Sequence, residues 1–211
     1  MKPIANYTPK QMEKIIGFIE ENFGEGEFIA YERESEYVHT DVNISDDGEM
    51  KSLVTFGMGA GRMNAPVESF ERIELVMNAT CDVDITVPLG ELVRLSKYPF
   101  RNDTWLGIGH TLNFTNDFKK TFGYEYVLLA PTSLVFSPSD TTNNVKNVVF
   151  LEIIPIYADE REWIVKNNSF IYLALLNIKF GNKMCLVDVK REHYIPSEED
   201  LLLLEEWMKS N

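Results

Sequence analysis

Apolar residues recur at helical spacing from the outset of the chain. Met12, Ile15, Ile16, Ile19 and Phe23 form one stripe. They follow Thr8-Pro9-Lys10-Gln11, which supplies an N-cap threonine, a proline suited to the first helical turn and a capping-box glutamine. This spacing predicts an amphipathic helix ending near Gly24. From Glu36 the period becomes two: Val38, Thr40, Val42 and Ile44 alternate with His39, Asp41 and Asn43 until Asp46-Asp47-Gly48 supplies a turn. A second strand, from Ser52 to Met58, returns as the other arm of a hairpin. Glu71 to Thr80 alternates again, so that Ile73, Leu75, Met77 and Ala79 share a face and Glu74 points the other way.

Pro88 fits the first turn of a short helix carrying Leu89, Leu92, Val93 and Leu95, which Pro99 is expected to stop after Tyr98. A glycine-flanked loop follows, RNDTWLGIGHTLNF from Arg101 to Phe114. Tyr124 to Leu129 and Asn147 to Tyr157 have the Val, Ile, Leu and aromatic content of central strands, with a polar connection from Asp140 to Asn147 between them. A helix opened by Asp159-Glu160 carries Trp163, Ile164, Phe170, Ile171 and Leu175. Gly181-Asn182 reads as a hairpin turn before a strand with Cys185 and Val187. Pro196 to Asp200 then begins a last helix over Leu201 to Leu204 and Trp207. Hairpins and helices that do not alternate regularly, with no repeat or linker, predict one α+β domain over 1–211. Its sheet is mixed, largely antiparallel and flanked by helices.

Composition narrows the function. The 45% hydrophobic and 25% charged fractions in 211 residues are those of a folded domain. Twenty basic against thirty-three acidic residues leave a net charge of −13. That field repels phosphate backbones and anionic lipid, so the expected partner is a protein, and neither nucleic acid nor membrane. The opening MKPIANYTPKQ lacks a signal-peptide apolar core and no apolar run approaches the roughly 20 residues of a membrane span, which gives a cytoplasmic reading. Cys81 and Cys185 lie in apolar stretches, as reduced buried thiols do.

Candidate chemistry is sparse. Thr55-Phe-Gly-Met-Gly-Ala-Gly61 could cradle a phosphate on backbone amides, but Arg62-Met-Asn-Ala-Pro66 follows instead of Gly-Lys-Ser/Thr or a helix, so the segment reads as a strand end plus turn. His39, His110 and His193 have no metal-ligand spacing, and Gly-x-Ser-x-Gly is absent. No cofactor or metal is expected. An enzyme would need tertiary structure to bring His39, Asp41, Glu74 and His110 together; otherwise His39 and His110 are hydrogen-bonded fold residues and Trp105 packs into the core.

Six segments together resemble the suppressor of fused domain. They are His39-x-Asp41-Val42; Leu53-Val-Thr55-Phe-Gly57-Met58; Ile73-Glu74-Leu75-Val76-Met77; Leu92-x-x-Leu95-x-x-Tyr98-Pro99; Thr104-Trp105-Leu-Gly107-x-Gly109-His110-Thr111; and Phe150-Leu-Glu-Ile-Ile-Pro155-Ile-Tyr157 running into Glu160. Their order and spacing cover about residues 34 to 180, leaving the first helix and the tail less diagnostic. The resemblance implies an α+β domain without established catalysis. It also makes the Gly-His segment a family signature. Animal members bind and restrain a zinc-finger transcription factor of the Hedgehog pathway through an additional C-terminal region, for which this length leaves no room. Short bacterial members are associated with polymorphic toxin systems, as immunity proteins.

Two non-catalytic roles follow from that resemblance: an immunity protein that occludes a cognate toxin, its acidity suiting a basic toxin domain, or an endogenous regulator that binds another cellular protein. An enzyme using the four residues above is the third reading. Exposed members of the set Met58, Met63, Phe100 and Phe114, beside the Gly-Met and Gly-His segments, are the candidate partner anchors.

Overall fold

The structure, a computed structural model, describes residues 6–29, 38–137, 147–188 and 190–210. Helix α1 (Pro9–Phe23) begins at Thr8, whose Oγ1 accepts the Gln11 N–H while the Gln11 side chain accepts the Thr8 N–H. This reciprocal pair satisfies two of the donors that a helix start leaves open. Among the described residues seven strands follow in one sheet: β1 (Gly26–Ile29), β2 (Asp41–Asp46), β3 (Met50–Phe56), β4 (Ile73–Thr80), β5 (Thr111–Asn113), β6 (Tyr126–Phe136) and β7 (Val148–Ile156). Their spatial order is β1-β2-β3-β4-β7-β6-β5. Every neighbouring pair is antiparallel except β4 and β7, so two antiparallel meanders meet at one parallel seam. The fold is α+β, with a mixed, largely antiparallel sheet.

Alternation sorts the strand residues between two faces. Val42, Leu53, Ile73, Leu75, Met77, Leu151 and Ile153 build the larger core with Leu89, Leu92 and Leu95 of α2 (Thr86–Arg101) and Phe118 and Phe122 of α3 (Asn116–Phe122). The opposite face is divided. Over β3, β4 and β7, α1 packs Ile15 and Ile19 on Val54, Phe56, Val76 and Phe150. Over β6 and β7, Leu128, Ala130 and Ile154 meet α4 (Ala158–Lys166), α5 (Ser169–Phe180) and α6 (Glu198–Ser210).

Several elements differ from the sequence expectation. Pro99 does not end α2; it sits buried in the last turn, where a missing N–H removes a single helical bond, and the helix continues to Arg101. The helix expected after Asp159 is two helices. Asn168 accepts the Phe170 and Ile171 N–H groups on its side-chain oxygen and so caps a new start. The strand expected around Cys185 and Val187 is a 3-10 helix, Gly181–Cys185, followed by a lone parallel bridge from Leu186 to Asn78. Pairing stops there because the Asp188 carboxylate takes the Thr80 N–H. Strand β1 and helix α3 are additions that the sequence pattern does not signal. Residues 36–37 and most of the polar connection over 140–147 lie outside the described residues. No disulfide joins Cys81 and Cys185.

Candidate functional site

Strand β3 ends at Phe56, and the chain turns at once into a 3-10 segment, Met58–Ala60. Gly57 makes that turn at φ +106°, a conformation that side-chain-bearing residues rarely adopt. The turn aims two backbone N–H groups at one carboxylate. Glu74, on the α1 side of β4 and wholly buried, accepts from Gly57 N–H at 3.0 Å and from Gly59 N–H at 2.9 Å. Thr55 Oγ1 donates to its other oxygen at 2.6 Å, and the Tyr7 hydroxyl donates at 3.0 Å. Thr55 in turn accepts the Leu75 N–H at 2.7 Å, which locks its rotamer. A Cβ on Gly59 would lie 2.6 Å from the Tyr7 hydroxyl and 2.6 Å from Val148 Cγ1, so the approach leaves room for hydrogen only.

The glycine-rich run is therefore a turn, and its amides do hold an anion, but the anion is the protein's own. Arg72 closes the far side by donating to the carbonyls of Gly59 at 3.1 Å and Ala60 at 2.5 Å. No cation neutralises Glu74 among these bonds. Burial pushes its carboxyl up, the four hydrogen bonds pull it down, and the balance stands at about 7. The same burial and the adjacent Glu74 raise Tyr7 well above an ordinary phenol, so it remains a donor.

His39 and Asp41 lie near this turn. The His39 imidazole bonds Asp41 through Nε2 at 2.9 Å, and a Cβ on Gly57 would meet the His39 carbonyl oxygen at 2.5 Å. His110 belongs to the other half of the sheet. Its carbonyl accepts the Leu129 N–H at 2.9 Å, and Gly109 N–H donates to the Leu129 carbonyl at 2.8 Å, which fastens the Gly-His loop to β6. Its ring meets Trp105 edge-on, with centroids 4.3 Å apart. Burial lowers the His110 pKa, partly offset by a bond to the Trp105 backbone. The four residues named for an enzyme are thus split: His39, Asp41 and Glu74 gather around Gly57, while His110 serves the Trp105–β6 contact.

The remaining signature residues hold loop ends. The Pro99 carbonyl accepts the Thr104 N–H and the Tyr98 carbonyl accepts the Asn102 N–H, which starts the loop, and the Gly107 carbonyl accepts the His110 N–H. Of the proposed partner anchors, Met58, Met63 and Phe114 are 1%, 4% and 3% exposed, so they are core residues and cannot be exposed anchors. Met58 opens the 3-10 segment with its side chain in the larger core, Met63 N–H bonds the Glu71 carbonyl just before β4, and Phe114 stacks on Phe118 at 3.8 Å. Phe100 is half-buried against that core.

A second buried cluster joins Glu160, at the end of the sixth resembling segment, to an arginine outside all six. Arg191 grips Glu160 with two bonds, Nη1 to Oε1 at 2.5 Å and Nη2 to Oε2 at 2.7 Å. Glu160 also accepts the N–H groups of Tyr157 and Tyr194, both at 2.8 Å. The guanidinium lies against the Tyr124, Tyr157 and Phe180 rings. Glu160 is visible in the sequence as the acid after Tyr157, but nothing in a single sequence pairs it with an arginine thirty-one positions on.

Among the described residues no group of three or more His, Cys, Asp or Glu could hold a metal ion, and no helix is long and apolar enough to cross a membrane. The family model for suppressor of fused protein matches residues 36–192. The chain belongs to the suppressor of fused family. Both Glu74 and the Glu160–Arg191 pair lie inside the matched region, whereas Tyr7 and α1 precede it. A chain in the crystal structure of the Sufu-Fu complex is similar in fold, with a TM-score of 0.67 at 13% identity, covering 96% of this chain and 97% of that one. The crystal structure of Drosophila Suppressor of Fused gives 0.69 at 15% identity over 100% of this chain but 57% of its own. No curated protein matches the chain in sequence.

Proposed function

We propose that this chain is a protein-binding module without catalytic chemistry, and that it acts as an immunity protein, occluding a basic toxin domain. Membership of the suppressor of fused family carries the reading. The fold likeness to a chain solved in complex with a protein partner supports it. The interior agrees with it: Glu74, the best-placed acid for proton transfer, is fully buried and its oxygens are occupied by four structural donors, out of reach of a substrate. The net charge of −13 suits a basic toxin, because complementary charge speeds encounter and penalises wrong partners.

Capture of the partner from the native cell, followed by stopped-flow association over a salt series, tests this. The expected partner is the toxic domain of a larger protein whose lethality the chain suppresses on co-expression. The expected association rate falls roughly tenfold from low to high salt as the field is screened over about 8 to 10 Å. Capture of a non-toxic cellular protein would replace immunity with endogenous regulation. A salt-independent rate would remove the electrostatic part.

A further inference from the structure

The sheet face beneath α1 is apolar around Val54, Val76 and Phe150, but toward the other end of the strands it carries an uninterrupted polar row. Ser45 of β2 stands opposite Ser52 of β3, and Ser52 opposite Asn78 of β4. Asn78 then reaches Glu152 of β7 at 2.6 Å. Above the row, at the C-terminal end of α1, lies a cavity of about 450 Å³. Its floor is Ser45, Ser52 and Asn78, and its walls include Phe23, Gly24 and Asp47. That volume falls within the range of small-ligand sites and far exceeds the roughly 30 Å³ that one water occupies.

Most donors around this cavity are committed elsewhere. The Ser45 hydroxyl donates to the Phe23 carbonyl at 2.6 Å, and the Ser52 hydroxyl to Asn78 Oδ1 at 2.8 Å. The Asn78 amide donates one of its two N–H groups to Glu152, which sets the amide's orientation and therefore the direction of the Ser52 bond. Gly24 N–H is taken by the Glu20 carbonyl, Met50 N–H by the Asp47 carboxylate, and one N–H of the Asn22 side chain by the Phe18 carbonyl. Lys51, the cation adjacent in sequence, turns away and bonds the Val83 carbonyl at 3.3 Å.

The polar part of the lining is therefore rich in acceptors: two serine oxygens, the Asp47 carboxylate and the negative end of the α1 dipole, with no basic residue in the last turn of α1 to offset it. Burial raises the Glu152 carboxyl, while bonds from Cys185 and Asn78 hold it down. An acceptor-rich edge suits a group that only donates. Ammonium offers three donors and guanidinium five, and neither has an acceptor. The Phe23 and Met50 side chains offer apolar surface for the aliphatic stem.

We propose that this cavity receives one basic side chain, lysine or arginine, from a protein partner. The preference for a cation stands on the cavity alone; assigning the cation to a partner rests on the protein-binding reading above. Direct titration keeps the two apart. Nuclear magnetic resonance titrations of the whole chain with the blocked amides of lysine, arginine and glutamine are expected to shift the Gly24, Ser45, Ser52 and Asn78 amides saturably for the two cations. Glutamine is expected to bind roughly tenfold more weakly, having lost the charge-assisted bonds.

Glu152→Gln should erase that selectivity while the chain stays folded, because an amide at 152 can donate to Asn78 and turn its oxygen away from Ser52. Asp47→Asn should weaken the cations and leave glutamine unchanged. Equal binding of glutamine, shifts confined to other residues, or no saturable shift in the parent chain would each overturn the cation site. Tighter binding of free putrescine than of either blocked amino acid would overturn the assignment to a side chain. Failure to capture a partner, with cation binding intact, would count against the protein-binding reading and leave the cavity's preference standing.

Discussion

Glu74 and Glu160 are the same group at the same depth, each fully buried and each accepting four hydrogen bonds, yet they are held by opposite means. Around Glu74 all four donors are neutral: two backbone amides, a threonine and a tyrosine. Around Glu160 two of the four bonds come from one guanidinium. Neutral dipoles solvate a charge without cancelling it, so the cost of burial remains in the proton affinity of Glu74, which stands at about 7. A bidentate arginine cancels the charge outright, and the cost moves to the pair's dependence on each partner.

The largest expected effect comes from breaking the pair. Arg191→Met should destabilise the chain by about 3 to 5 kcal/mol in urea unfolding, because Glu160 would keep only its two backbone donors. The double variant with Glu160→Gln should recover much of that loss. If it does not, the arginine matters through its contacts with the three rings.

Next comes Glu74→Gln, which should cost about 1 to 3 kcal/mol near pH 5, since an amide aims its own donors at the cradle's donors. Its signature is the pH dependence. A folded-state pKa of about 7 against 4.5 means that the native chain binds the extra proton, so Glu74's contribution is complete below about 4.5 and is lost as pH rises through 7. The parent-minus-variant difference should therefore shrink by up to about 3 kcal/mol between pH 5 and 8. Using the difference removes His110, whose lowered pKa acts in the opposite sense, its contribution being lost as pH falls. A flat difference would mean that the dipoles alone keep Glu74 ionised.

The smallest effect is at His110, where a half-exposed ring offers packing and no buried charge. His110→Ala should lower stability by about 1 kcal/mol and alter the near-ultraviolet dichroism of Trp105. An unchanged spectrum would remove the Trp105 contact from the account.

Long periodic segments are legible in the amino-acid sequence. The α1 stripe, the alternation of β2 to β4 and the apolar runs of β6 and β7 each repeat often enough to declare a period, and the orientation of Glu74 away from Leu75 and Ile73 follows from it. Short elements are not legible. Gly26–Ile29 and Asn116–Phe122 are too brief to show a repeat, and the break at Asn168 is visible only once its cap bonds form. The site is half legible. Thr55, Gly57 and Glu74 lie in the segments on which the sequence resemblance rests, but the fourth donor, Tyr7, is sixty-seven positions from Glu74, and no local pattern reports such a distance. The anchors fail for a related reason: Met58 and Phe114 sit near turns, and a turn signal marks a change in the backbone's course but not the direction of the next side chain.

The parallel seam between β4 and β7 has a consequence for how the chain reaches this state. Each meander pairs strands close in sequence, whereas the seam joins Ile73 to Val149 and must wait for a much larger loop to close. Late pairing between two apolar strands invites slippage, because Leu75, Val76, Leu151 and Ile153 would bury comparable area in several alignments. Glu74 sits in that seam opposite Phe150. A shift of β4 by one residue against both β3 and β7 would carry its carboxylate to the other face, into the aliphatic core with α2 and away from Thr55, Gly57 and Gly59, at a cost no aliphatic contact there could offset. Glu74 thus acts as a key, holding β4 in one register on β3 and so presenting one fixed edge to β7.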